Sequence, residues 1–307
     1  MKMKKDFSFG KKSGFNSKKY IAGIAFAATL LGTAAALFAF SWPQAQTNSD
    51  TFHSYFGQLR GGTISSSLIF KDNSEVKTAD PGDILAVIDD HTEDYGWFES
   101  TLGNAVILGH SDQRVTIYAN LDAESIPASL GASSFVSTGT PLGTSGNSGW
   151  QEGESCLEFQ VLDTKSGISI NPRMLMPKIG AELPVSMGYI TLDDEKGVTH
   201  YLVNERNLKA GTYYIYKTRD ATAVPFRTIV AINGATVERI SYDTLKEYNG
   251  RLCITGNNNY PVELMYPDDN RLLLGKISLP YGHVGLSVTV VDMLNSAQSV
   301  TYNLDVN

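Results

Sequence analysis

The sequence predicts an all-β protein after one N-terminal hydrophobic helix, and three observations carry that reading. Past residue 50 no stretch sustains a helical period, short alternating apolar runs recur, and Gly, Asn and Asp break them at close intervals. A chain of 307 residues has room for about two domains of ~100–200 residues each. A composition break from Asn171-Pro172 to Pro184, with prolines at 172, 177 and 184, divides the body into residues 52–178 and 185–307.

The elements follow in chain order. Residues 1–19 carry seven Lys against Asp6 alone, a basic leader that leaves −13 of the formal −7 net charge for the rest. Residues 20–42 form an almost unbroken apolar run, with Ile21, Ile24, Leu30, Leu31 and Phe38. About 20 apolar residues span a bilayer, and Lys on one flank sets a cytoplasmic N-terminus. The run therefore reads as a transmembrane signal-anchor, with a cleaved signal peptide as the alternative. The best cleavage site, after Ala45, has Pro43 at its −3 position, which fits poorly. Either way the body is exported. It sits at the bacterial inner membrane facing the periplasm or extracytoplasmic space, or is secreted if the signal is removed. Residues 43–51 read as a short polar linker.

Strands are expected at Leu68–Phe70, Ile84–Ile88, Ala105–Leu108 and Val115–Tyr118 in the first domain. Gly139, Gly143, Gly146 and Gly149 recur every three or four residues, the spacing of tight turns and close backbone approach. The second domain offers runs at 188–192, 211–216, 229–232, 251–254, 271–275 and 285–291, with a hairpin signal at Asn233-Gly234. About seven short strands in ~120 residues suit an antiparallel Ig-like β-sandwich.

Composition narrows the function. An acidic body argues against nucleic acid as a partner. Cys156 and Cys253 lie far apart in apolar runs and read as buried thiols, not a disulfide framework. The histidines, 53, 91, 110, 200 and 283, show no metal-ligand spacing. His110 reads as a turn histidine and His53 as a surface one.

Six blocks between about residues 52 and 178 carry a resemblance. They are Phe56-Gly57-Gln58-Leu59-Arg60, Pro81-Gly82-Asp83-Ile84-Leu85-Ala86, Gly103–Leu108 running on to Tyr118-Ala119-Asn120-Leu121, Val136–Gly149, Leu157-Glu158-Phe159-Gln160-Val161, and Ile170-Asn171-Pro172. In order and spacing they resemble the lysostaphin/LytM-type zinc endopeptidases, which cut the peptide cross-links of peptidoglycan. The resemblance implies a LytM-like β-sheet core, the duplicated hybrid motif. It also implies a zinc ion with three protein ligands and an open water position.

The positions that hold the metal in that family are changed here. The His-x-x-x-Asp pair falls on Ser65 and Ile69, and the ligand of His-x-His falls on Glu158, with Cys156 at its catalytic neighbour. The second catalytic His falls on Asn120. Ile69 offers no lone pair, and an amide cannot take up a proton near neutral pH as imidazole does. Cys156 and Glu158, next but one on a strand, share a face but are too few to hold zinc. The expectation is a pseudoenzyme with no metal and no cofactor. Arg60, Tyr118, Asn120 and Glu158 are expected to line a surviving groove. Tyr213, Tyr214, Tyr216, Tyr242, Tyr248, Tyr260 and Tyr266 of the second domain are read as packing residues first and carbohydrate contacts second.

Three functions stay open at this point. The first is a peptidoglycan-binding scaffold or a regulator of a wall hydrolase, with peptidoglycan or that hydrolase as partner. The second is an active zinc endopeptidase with displaced ligands. The third is a structural or adhesive envelope protein that binds a protein partner.

Overall fold

A computed structural model describes residues 40–71, 73–89, 101–149 and 156–307. The basic leader, the apolar run as far as Ala39, His91 and Ser155 lie outside the described residues. Among the described residues no helix is long and apolar enough to cross a membrane.

The body is built from strands, as its alternating apolar pattern requires. In the first part these are β1 (Phe52–Ser54), β2 (Leu59–Arg60), β3 (Thr63–Ile64), β4 (Leu68–Phe70), β5 (Glu75–Lys77) and β6 (Gly82–Ile88). They continue as β7 (Asn104–Gly109), β8 (Arg114–Leu121), β9 (Phe135–Val136), β10 (Pro141–Thr144), β11 (Leu157–Asp163) and β12 (Ile168–Ile170). The central sheet runs β9-β6-β7-β8-β11, with β4 and then β1 attached at the start of β11. The spaced glycines do what their pattern suggests. Gly139 and Gly143 have positive φ, and a Cβ on Gly146 would lie 2.5 Å from the Asp122 nitrogen.

The second part comprises β13 (Ile190–Asp194), β14 (Thr199–Tyr201), β15 (Asn207–Leu208), β16 (Gly211–Thr218), β17 (Arg227–Ile232) and β18 (Ala235–Tyr248). It is completed by β19 (Arg251–Thr255), β20 (Asn259–Pro261), β21 (Arg271–Leu279), β22 (Gly282–Val291) and β23 (Ala297–Val306). One sheet has the order β14-β13-β16-β21 and faces a second, β15-β23-β22-β17-β18. The Asn233-Gly234 turn joins β17 to β18 with φ of 51° and 83°, the left-handed pair that a two-residue hairpin needs. Six of the seven tyrosines expected to pack do so: Tyr213, Tyr216, Tyr242, Tyr260 and Tyr266 are buried, Tyr214 is partly buried against the core, and Tyr248 is exposed.

Two findings revise the expected organisation. Strand β12 pairs with β18, setting Ile168, Ser169 and Ile170 opposite Lys246, Leu245 and Thr244. The first sheet thus continues edge to edge into the second part, and one hydrophobic core runs through both. The proline-rich connector is strapped down as well. Arg173 there is buried against Glu182 and sits 4.3 Å from the ring centre of Tyr55.

The second revision concerns residues 40–51, expected as the end of the apolar helix and a linker. Phe40 is buried and donates its backbone N–H to Leu175. Trp42 packs on Phe52 and Phe70 while its indole N–H donates to Pro177 O at 3.0 Å. The Pro43 carbonyl accepts from Lys77, and Gln44 reaches Ser145. An aromatic pair at one end of an apolar run is indistinguishable in sequence from more membrane helix, and only its partners reveal it as core.

Candidate functional site

Strand pairing brings four of the changed positions to one place. Glu158 on β11 stands opposite Ile69 on β4 and opposite Ala119 on β8, the residue before Asn120. Cys156, two residues earlier, forms a bridge with Gly146. Ser65 joins this cluster through the loop between β3 and β4, where its hydroxyl accepts from the backbone N–H of Ser67 at 3.3 Å.

The Glu158 carboxylate is 5 % exposed and its Oε1 is fully engaged. It accepts from the Ser67 hydroxyl, from Gln160 Nε2 at 3.0 Å and from Arg60 Nη1 at 2.9 Å. A guanidinium therefore supplies the positive charge beside this carboxylate, as burial of a charge demands. Arg60 reaches it from β2, at the base of a hairpin whose tip is Gly61-Gly62, both with positive φ. Ser67 and Gln160 escaped the sequence reading. Only strand parity, which sets Gln160 on the face of Glu158, could have indicated one of them.

Asn120 is 1 % exposed and acts as a clamp. Its Nδ2 donates to Gly146 O at 2.8 Å and to Cys156 O at 2.7 Å, while its Oδ1 accepts from Gly149 N at 2.7 Å. Its φ of 62° is a left-handed conformation in which Asn is enriched among non-glycine residues. Both amide protons and the carbonyl oxygen are spent on backbone, so nothing is left to bind a substrate or move a proton.

Tyr118 corrects the expected groove. It is fully buried, packs on Phe159 with ring centres 5.0 Å apart, and its hydroxyl accepts from Ala79 N at 2.7 Å. Burial pushes its pKa up to about 12. Its ring belongs to the core, and of the four proposed groove residues only Arg60 is more than slightly accessible.

Zinc does not fit these residues. Ile69 presents hydrocarbon, three donors meet on Oε1 of Glu158, and Asn120 is occupied by backbone. Among the described residues no three His, Cys, Asp or Glu side chains converge as a metal site would require. His110 is likewise committed to Pro81 O at 2.8 Å and Thr116 Oγ1 at 2.9 Å. Cys156 and Cys253 are both buried and form no disulfide.

Comparison with known proteins places this architecture. The model of peptidase family M23 matches residues 70–172. This segment is an M23 domain. A separate family model covers residues 184–307. An uncharacterized protein of Treponema pallidum (strain Nichols) is 31 % identical over 122 residues, spanning 37 % of this chain and 80 % of that protein. Among solved structures, the SpoIIIAH and SpoIIQ complex is similar at 15 % identity and a TM-score of 0.34, covering 45 % of this chain and 99 % of that one. The catalytic domain of the prophage-encoded M23 protein EnpA from Enterococcus faecalis is similar at 17 % identity and a TM-score of 0.30, covering 48 % and 95 %. The M23 segment of this chain contains Asn120, Cys156 and Glu158 but begins after Ser65 and Ile69.

Proposed function

We propose that this chain is a non-catalytic M23-type protein of the bacterial cell envelope, acting as a peptidoglycan-binding scaffold or as a regulator of a wall hydrolase. The observation that carries this reading is the consumption of the site by its own protein. Arg60, Ser67 and Gln160 all meet Oε1 of Glu158, Ile69 offers no ligand atom, and Asn120 is taken up by three backbone groups. A catalytic zinc site needs three ligands and a vacant position for water, and a general base needs a group that titrates near the working pH. Neither requirement is met at these positions.

The Lys-flanked apolar run is read as a retained membrane anchor. Cleavage after Ala45 would remove Phe40 and Trp42, which are packed into the body. The second part is read as an Ig-like module. Its β14-β13-β16-β21 sheet packs against β15-β23-β22-β17-β18, a two-sheet arrangement compatible with that class.

The reading is tested by incubating the purified chain with peptidoglycan sacculi, with and without added zinc. Co-sedimentation without release of soluble fragments is expected. Zinc-dependent release of cross-link fragments would establish an active endopeptidase, and absence of both binding and cleavage would favour an adhesive protein that acts on a protein partner.

A further inference from the structure

Two turns of the second part share the dipeptide Asn-Gly but differ in their surroundings. Asn233-Gly234 closes the β17–β18 hairpin, and Asn249-Gly250 closes the β18–β19 hairpin, where Tyr248 stands opposite Arg251. Asn249 and Gly250 have φ of 52° and 74°, the same left-handed pair as in the first turn. All four residues are exposed.

The first turn is pinned by a third strand. The backbone N–H of Asn233 donates to Gly285 O at 2.8 Å, and its side-chain Oδ1 accepts from Gly285 N at 2.7 Å. The second turn has no such support. Strand β12 pairs with β18 only as far as Lys246, and β20 pairs with β19 only from Cys253 onward. The last two rungs, Glu247 opposite Leu252 and Tyr248 opposite Arg251, therefore have only each other as strand partners. Arg251 adds an exposed ion pair with Glu263, a contact of small energetic weight. Among the described residues the Asn249 side-chain amide has no hydrogen-bond partner.

An asparagine followed by glycine can lose its side-chain amide. The Gly250 backbone nitrogen attacks Cγ of Asn249, a C–N bond forms, and the side-chain nitrogen leaves as ammonia carrying the peptide proton, which closes a succinimide ring. Water then opens the ring at either carbonyl, giving aspartate or isoaspartate. Glycine has no Cβ to obstruct the attack. The closed hairpin opposes it, because ring closure requires the backbone to leave the left-handed turn, so the rate follows the population of the opened tip. A tip ending in two unsupported rungs opens more readily than one tied to a neighbouring strand.

We propose that Asn249 is a site of spontaneous deamidation in the folded protein, whereas Asn233, in the same dipeptide, is protected by Gly285. Conversion places a new carboxylate close to Glu247, and the isoaspartate form inserts an extra backbone carbon that disturbs the Tyr248–Arg251 rung. This modification is independent of the M23 positions and of what the chain binds.

The test follows the purified full chain in mildly alkaline buffer by peptide mass spectrometry, with the aspartate and isoaspartate products separated by chromatography. Asn249 is expected to convert about tenfold or more faster than Asn233, since opening the latter turn also breaks two hydrogen bonds to Gly285. In urea that protection is removed, and the two sites are expected to convert at similar rates. Asn249→Gln, whose longer side chain closes a ring far more slowly, is expected to abolish most of the accompanying acidic shift on isoelectric focusing. The proposal is overturned if Asn249 keeps its amide in the folded chain, or if Asn233 there converts as fast as Asn249. An undiminished acidic shift in Asn249→Gln also overturns it.

Discussion

Asn120 shows how one side chain can hold three backbone segments together. Its amide ties the end of β8 to the glycine turn at 146–149 and to the start of β11. Replacing it with Ala removes three hydrogen bonds worth about 1 kcal/mol each and places a less suitable residue at positive φ. Asn120→Ala is therefore expected to destabilise by about 3 kcal/mol in urea unfolding. Arg60→Met strands a buried carboxylate, and a loss of about 3 kcal/mol is expected. Adding Glu158→Leu should recover most of that loss, and a double-mutant cycle measures the coupling. Motif order made positions 65, 69, 120, 156 and 158 legible, because blocks of Gly, Pro and apolar residues fix the spacing. Tyr118 was misplaced for a physical reason. The β7–β8 pairing shifts register between Asn104 and Val106, and Asn120 turns left-handed, so residues 118 and 120 no longer share a face. Periodicity alone carries no sign of such a bulge.

At the scale of elements, the segment from Phe40 to Asn48 is a structural strap. Phe40→Ala is expected to cost about 3–5 kcal/mol, the range for deleting a large buried aromatic side chain, and Trp42→Ala, at a partly buried position, about 2–3 kcal/mol. Chemical denaturation of the two variants checks this, and near-neutral effects would return the segment to the status of a linker. The β11–β12 turn matters because it directs β12 onto β18. There the Ser166 hydroxyl, with backbone N–H groups of Lys165 and Ser166, holds the Asp163 carboxyl below the usual carboxylate range. A depressed folded-state pKa stabilises the fold above the unfolded value of about 3.9, and that contribution is lost as pH falls through the folded value. Asp163→Asn is expected to flatten the acid limb of the stability profile below about pH 4. Strands of the second part were legible where apolar residues alternate. Strand β18 was not, since Glu238, Arg239, Asp243 and Lys246 interrupt its pattern. Glu238 is buried nonetheless, held by Tyr260 and the N–H groups of Arg239 and Asn257.

For the whole molecule, continuity of the sheet through β12 and β18 removes an exposed edge from each part and couples them. The sequence places a boundary at the proline-rich connector, where the two family matches also divide, and the pairing of β12 with β18 across it leaves no local mark in the sequence. One cooperative calorimetric transition is expected for the body, with calorimetric and van't Hoff enthalpies in agreement. Two resolved transitions would show that the parts unfold separately. In the proposed non-catalytic role, positions 65, 69, 120, 156 and 158 serve the fold and hold no metal. Zinc stoichiometry of the full chain, purified after growth in zinc-supplemented medium and measured by elemental analysis, tests this most directly. The account predicts no bound zinc, whereas one tightly held zinc per chain, with chelator-sensitive cleavage of sacculi, would contradict it.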